Sequence, residues 1–166
     1  MLAWRTVARI EFPGKVRSVR AVVRLAQARN GMVQFEFFVP GLPRPKQYKQ
    51  SKAGIIYNKG VTVTWEKTIA QYALSQREAG WKPLIGPVTL ELHFQFPIPK
   101  GRKELRPGMA HLQDPDCTNL LKAAEDAIKG VLIADDNLVI RVVVGKSWCE
   151  QGQEGMQVKV EINEVS

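Results

Sequence analysis

From residue 33 the chain alternates: Val33, Phe35, Phe37 and Val39 fall on one side, and Gln34 and Glu36 on the other. Period-2 patterning of this kind predicts a half-buried β-strand, which Pro40-Gly41-Leu42-Pro43-Arg44-Pro45 ends because proline cannot donate to a ladder. Thr64 then reads as the N-cap of a helix reaching about Glu78, with Trp65, Ile69, Tyr72 and Ala73 at helical spacing and Gly80 beyond its end. The aromatic pair Trp65 and Tyr72 is read as core. Val88, Leu90, Leu92, Phe94 and Phe96 alternate with Thr89, Glu91, His93 and Gln95, the clearest strand pattern in the chain, and His93 on its polar face is read as an exposed side chain. A second helix follows Pro115, Leu138 to Val144 reads as a buried strand, Ser147 to Gly155 as a loop, and Met156 to Ile162 as an alternating final strand. Four strands with two helices predict a two-layer α/β (α+β) fold with a mixed, mostly four-stranded sheet.

Composition adds a size and a charge. At 166 residues and 45% hydrophobic content the chain suits one domain with its own core. The formal net charge of +8 is unevenly spread: residues 1–31 hold seven Lys or Arg against one Glu, and the rest seventeen against fifteen acids. Residues 1–31 are therefore read as a basic N-terminal extension, poorly ordered or non-native, and residues 32–166 as the folded domain. Two cysteines, Cys117 and Cys149, show neither a disulfide framework nor a zinc spacing, which fits a reducing, cytoplasmic setting. No apolar run approaches the roughly 18–20 residues of a membrane helix.

Charge clusters in the body suggest a phosphate-bearing partner. Lys46, Lys49 and Lys52 lie in a loop without apolar periodicity, and Lys100, Arg102, Lys103 and Arg106 lie in the Pro/Gly-broken segment 97–111, a loop long enough to suggest a function. Between them and the C-terminus stands an acidic stretch from Asp114 to Asp136. Pro115 disfavours helix at Asp114, so the second helix starts between Asp116 and Thr118, either of which can cap it. Leu120, Leu121, Ala124, Ala127 and Ile128 share one face of it, while Asn119, Lys122, Asp126 and Lys129 share the other. Adjacent Asp135 and Asp136 repel one another unless a cation or solvent relieves them, and hard carboxylate oxygens suit Mg²⁺. An ordinary amphipathic helix followed by an Asp-Asp-Asn turn explains the same residues, and the residues alone leave the two readings about even. Phosphate loops, dinucleotide fingerprints, nucleophile elbows and zinc spacings are absent from the sequence.

The ordered set Pro115-Asp116-Cys117-Thr118-Asn119-Leu120-Leu121-Lys122, Asp126-Ala127, Asp135-Asp136 and Lys146 resembles the RusA family of phage and bacterial Holliday junction resolvases. Val39-Pro40-Gly41-Leu42-Pro43-Arg44-Pro45-Lys46 resembles that family's first strand and loop. The resemblance implies a homodimeric, Mg²⁺-dependent endonuclease, with Mn²⁺ as a possible substitute, that nicks four-way DNA junctions in recombination and repair. It places the catalytic aspartates on Asp116 and Asp136 and the helix lysine on Lys122. Asp135 would join them as a further metal ligand, and Thr118, Asn119 and Asp126 would support the site. Lys46, Lys100, Arg102, Lys103, Arg106 and Lys146 would hold DNA phosphates. The family's second aspartate, two residues after the first, is Thr118 here, and the alternative is accordingly a junction-binding protein with weak or lost cleavage.

Overall fold

The computed structural model describes residues 24–26, 34–50, 56–58, 60–77 and 80–162, with side chains described for 35–47, 60–77 and 80–162. Most of the basic segment 1–31, Lys52 and Glu78 lie outside the described residues.

The four anticipated strands are β2 (Gln34–Pro40), β5 (Val88–Pro97), β6 (Val139–Cys149) and β7 (Gly155–Ile162), and the two helices are α1 (Gly60–Ser75) and α2 (Cys117–Ile128). A short β1 (Arg24–Ala26), within the segment read as an extension, pairs antiparallel with β2, so the sheet runs β1-β2-β7-β5-β6. Strands β3 (Tyr48–Gln50) and β4 (Ile56–Asn58) pair separately, which places Lys49 in a strand where a loop was expected. The β5–β6 pair is parallel and the other pairings of the main sheet are antiparallel. Parallel neighbours need a long crossover, and α2 lies within that connection.

One face of the sheet is dry. Phe35, Phe37 and Val39 of β2, Leu90, Leu92 and Phe94 of β5, and Met156, Val158 and Val160 of β7 are all buried in one core with Trp65, Ile69, Leu120, Ala124 and Ile128 of the helices. The α1 and α2 helices pack on one another, α1 also against β2 and α2 against β6. On the strands' polar positions Lys159 bridges Glu91 and Glu161, and the exposed His93 reaches Ser147 Oγ through Nε2 at 2.8 Å. Antiparallel sheets with one wetted face read as clean alternation, which is why β5 and β7 were legible.

Two elements differ from their sequence patterns. Helix α1 starts at Gly60, not Thr64, because Thr64 Oγ1 donates back to the Gly60 carbonyl at 3.0 Å inside the helix, while Thr62 is the buried residue of the first turn. Strand β6 was expected to be buried from Leu138 to Val144 and to give way to a loop at Ser147. Instead it lies at the sheet edge, where Ile140 is 65% exposed and Val142 and Val143 also face solvent, and its buried part is Ser147-Trp148-Cys149. A continuous apolar run resembles a strand covered on both faces, but here the edge position leaves it half uncovered.

Residues 108–111 close the far half of that edge. The Gly108 N–H donates to the Trp148 carbonyl and the Trp148 N–H to the Met109 carbonyl, both at 2.8 Å, and the His111 N–H reaches the Lys146 carbonyl at 3.2 Å. His111 is buried between Phe96 and Trp148, with ring centroids 4.3 and 4.2 Å away, and its Nδ1 has no hydrogen-bond partner. Burial, then the Lys146 charge, lowers its pKa from the ordinary value. The unfolded chain therefore binds this proton more readily, and stability falls as pH drops below about 6.5. Thermal melting followed by circular dichroism should show a decline from about pH 7 to about pH 5 that is flattened in His111→Phe, which keeps the ring stack; an unchanged slope in the variant would refute the assignment.

Candidate nucleic-acid site at the start of helix α2

The site begins where β5 ends. Phe96 lines a cleft of about 460 Å³, together with Leu42, Pro43, Arg44, Pro45 and Gln47 from the loop after β2, and Asp114, Pro115, Asp116 and Asn119 from the turn into α2. Ligand sites favour this position, outside the carboxyl ends of strands.

Asp116 is the N-cap of α2. Its Oδ1 accepts the Asn119 backbone N–H at 2.8 Å and its Oδ2 the Asn119 side-chain amide at 2.7 Å. Those bonds, the backbone one first, hold its carboxyl below the usual range, so it is ionised at neutral pH. Lys146 positions the turn from behind, donating to the carbonyls of Gln113 at 2.7 Å and Pro115 at 2.8 Å. The Asp114–Pro115 peptide is cis. Thr118 and Asn119 are exposed in the first turn, and Cys117 is the first helical residue.

Asp136 stands in a different setting. It opens the 3-10 turn Asp136–Leu138, capped by Asp135, whose Oδ1 accepts the Asn137 N–H at 3.1 Å. Lys129 Nζ lies 2.9 Å from Asp136 and 3.2 Å from Asp135, and Lys122 Nζ lies 3.7 Å from Asp136 and 3.6 Å from Asp126. The Lys129 hydrogen bond is the largest reason that the Asp136 carboxyl is pushed down to about 2. The repulsion between adjacent aspartates is thus relieved by the ammonium groups of Lys122 in α2 and of Lys129, which caps its end. Glu125, beside them, has its pKa raised, chiefly by burial.

A third environment joins the two helices. The Lys46 ammonium lies 2.6 Å from Glu66 of α1 and 2.7 Å from Asp126 of α2, and the residue is only 8% exposed. Its backbone N–H donates to the Asn119 carbonyl at 2.8 Å, and the Thr62 hydroxyl donates to the Pro45 carbonyl at 2.9 Å. Lys46 was expected to hold phosphate, yet its charge is spent inside the protein, where it clamps the cleft loop to both helices.

Of the other anticipated phosphate contacts, Lys100, Arg102, Lys103 and Arg106 are exposed on the loop after β5, with Arg102 paired to Glu104. Asp116 and Asn119 line the cleft, whereas Asp135 and Asp136 do not. Arg44 was overlooked. It lines the cleft, is exposed, and has no ion-pair or hydrogen-bond partner among the described residues. The available signal was an arginine held between two prolines.

For a metal, the donor chemistry fits Mg²⁺ in type: ionised carboxylate oxygens at Asp116 and Asp136, where a hard ion asks for only one or two carboxylates beside water and phosphate. No group of three or more His, Cys, Asp or Glu side chains that could hold a metal ion occurs among the described residues. The remaining oxygens would have to come from substrate and solvent.

Fold and site together define an α+β domain whose cleft, at the strand ends, is lined by the capped acidic start of a helix. The family model described as Endodeoxyribonuclease RusA matches residues 38–163, well over half of the chain, and the protein belongs to this family of endodeoxyribonucleases. No curated protein matches the sequence. No helix among the described residues is long and apolar enough to cross a membrane.

Removing the clamp should be costly. Lys46→Met leaves Glu66 and Asp126 without their shared cation and should lower stability by about 2–3 kcal/mol in urea denaturation; a loss no larger than that of an exposed lysine would contradict the clamp. Asp116→Ala should lower the melting temperature by removing the cap, and Asp116→Asn should largely preserve it, since asparagine caps equally well.

Proposed function

We propose that the protein is a Mg²⁺-dependent endonuclease that resolves four-way DNA junctions by paired phosphodiester hydrolysis in recombination and repair. The single observation that carries this reading is Asp116: an ionised, hydrogen-bonded carboxylate fixed at a helix start beside an open cleft, in a chain of the RusA family.

Asp116 and Asp136, with Asp135 adjacent, would hold Mg²⁺ or Mn²⁺, which supplies Lewis-acid neutralisation of charge on the phosphate. The remaining roles fall to the chain's own side chains. Lys122 sets a positive charge beside Asp136 on the exposed stripe of α2, where it stabilises negative charge developing on phosphate oxygens. Asn119 orients the Asp116 carboxylate, Lys146 fixes the turn that presents it, and Asp126 draws Lys122 and Lys46 toward one another. Lys100, Arg102, Lys103 and Arg106 hold phosphates without reading sequence.

A homodimer suits this substrate, because two-fold symmetry places two such sites on symmetry-related strands. The edge of β6 at residues 140–143, unpaired among the described residues, supports it, since exposed Ile140, Val142 and Val143, with Arg141 between them, leave a largely apolar edge strand that can pair with its own copy. The second reading, a junction-binding protein with weak or lost cleavage, is favoured by Thr118, a neutral hydroxyl in the first turn of α2 where the resemblance leads to an aspartate.

Incubation with a synthetic four-way junction and Mg²⁺ should give symmetric nicks, and Asp116→Asn or Asp136→Asn should slow them by about a hundredfold or more. Junction binding without nicking in both Mg²⁺ and Mn²⁺, with cleavage gained in Thr118→Asp, would establish the second reading instead. Equal affinity for linear duplex and junction would remove both. Val142→Lys should shift sedimentation from dimer to monomer if β6 forms the interface; an unshifted dimer would place that interface elsewhere.

A further inference from the structure

Among the described residues Arg44 is the only cation lining the cleft, whose lining also includes Asp114 and Asp116. Its guanidinium has no partner among the described residues, although acidic side chains line the same cavity. The backbone that presents it is fixed on both sides: Pro43 is buried, the Pro45 carbonyl accepts from Thr62, and Lys46 is pinned through its N–H and its ammonium. A rigid loop that holds an uncommitted arginine over a cavity is arranged for an anionic ligand, because guanidinium matches phosphate in fork geometry and stays charged at every working pH.

The wall is chemically divided. Leu42, Pro43, Pro115 and Phe96 give it an apolar part, and Arg44, Gln47, Asp114, Asp116 and Asn119 give it a polar one. At about 460 Å³ the cleft falls in the roughly 300–1,000 Å³ range of sites for small organic ligands. A cleft with an apolar wall beside a cation on an anchored loop suits a single nucleotide, which carries a flat base and a charged phosphate. A phosphate entering without Arg44 would meet only the negative charges of Asp114 and Asp116.

We propose that this cleft receives one unstacked nucleotide of the strand to be cut, its phosphate on the Arg44 guanidinium and its base against the Leu42, Pro43, Pro115 and Phe96 wall. The assignment rests on the junction-endonuclease reading and adds a substrate-anchoring residue to it. Unstacking is least costly where the stack is already interrupted, and the point of strand exchange in an opened four-way junction is such a place. Selectivity for junctions over duplex then has a local cause: intact duplex offers no free base to the cleft.

The test uses the full chain in EDTA, so that binding is read without cutting, and four-way junctions carrying 2-aminopurine at successive positions around the crossover. Wild type should raise the fluorescence several-fold at one position in each of two symmetry-related strands. Arg44→Ala should lose that rise and lower the slope of log affinity against log salt by about one, as the loss of one phosphate contact requires. Arg44→Lys should keep the salt slope and recover part of the rise. An exposed side chain without partners can be replaced without unfolding, and an unchanged melting temperature checks this. Absence of any responsive position in wild type, or a full response in Arg44→Ala, overturns the proposal; a reduced salt slope with no fluorescence change leaves only a phosphate contact and overturns it too. Failure of the underlying reading looks different, since wild type would then neither prefer the junction in EDTA nor cut it in Mg²⁺.

Discussion

The Lys46 ammonium, held between Glu66 and Asp126, is the contact on which the site's geometry depends. Three chain segments meet there: the loop after β2, α1 and α2. Burying an ammonium is unfavourable unless carboxylates compensate it, and Lys46 has two. Desolvation is the largest influence on its pKa, yet the opposing bonds to Asp126 and Glu66 leave that pKa raised. The clamp holds Pro43 to Gln47 across the start of α2, together with the Lys46 N–H bond to the Asn119 carbonyl and the Thr62 bond to the Pro45 carbonyl. It also passes charge onward, since Asp126 is shared with Lys122, which touches Asp136.

Acidic and basic groups therefore form two settings linked along one helix. At its start Asp116 is held by backbone and amide donors, so its charge stays available to a ligand. Farther along, Asp135 and Asp136 are compensated by lysines at 122 and 129. A cation bound at Asp136 would have to displace or share those ammonium groups, which sets a higher threshold there than at Asp116.

Much of the fold was legible because burial on one face imposes a period. The β5 alternation of Val88, Leu90, Leu92, Phe94 and Phe96 and the apolar stripe of α2 both follow from a single dry layer. The apolar run of β6 carried no such information: only its place at the sheet edge leaves Ile140 exposed and Trp148 buried. Candidate site residues divided on the same ground. Asp116 as a cap and Lys122 on the exposed stripe of α2 followed from local rules. Lys46 was mistaken for a solvent-facing cation because its partners lie 20 and 80 residues away, beyond any periodic signal. Arg44 was passed over for the complementary reason, since what marks it is the lack of a partner.

The distance along the chain between the cleft's two walls bears on when it comes into being. One wall, residues 42–47, is synthesised early, and the other, residues 114–119, together with Asp126 of the clamp, emerges some seventy to eighty residues later. Contacts so far apart in sequence form only after long loops have closed. A nascent or truncated chain that ends before α2 therefore has Arg44 but nothing opposite it. The cleft is thus absent until α2 has been made, and β7, which emerges later still and pairs with both β2 and β5, must be in place before the sheet beneath it is whole.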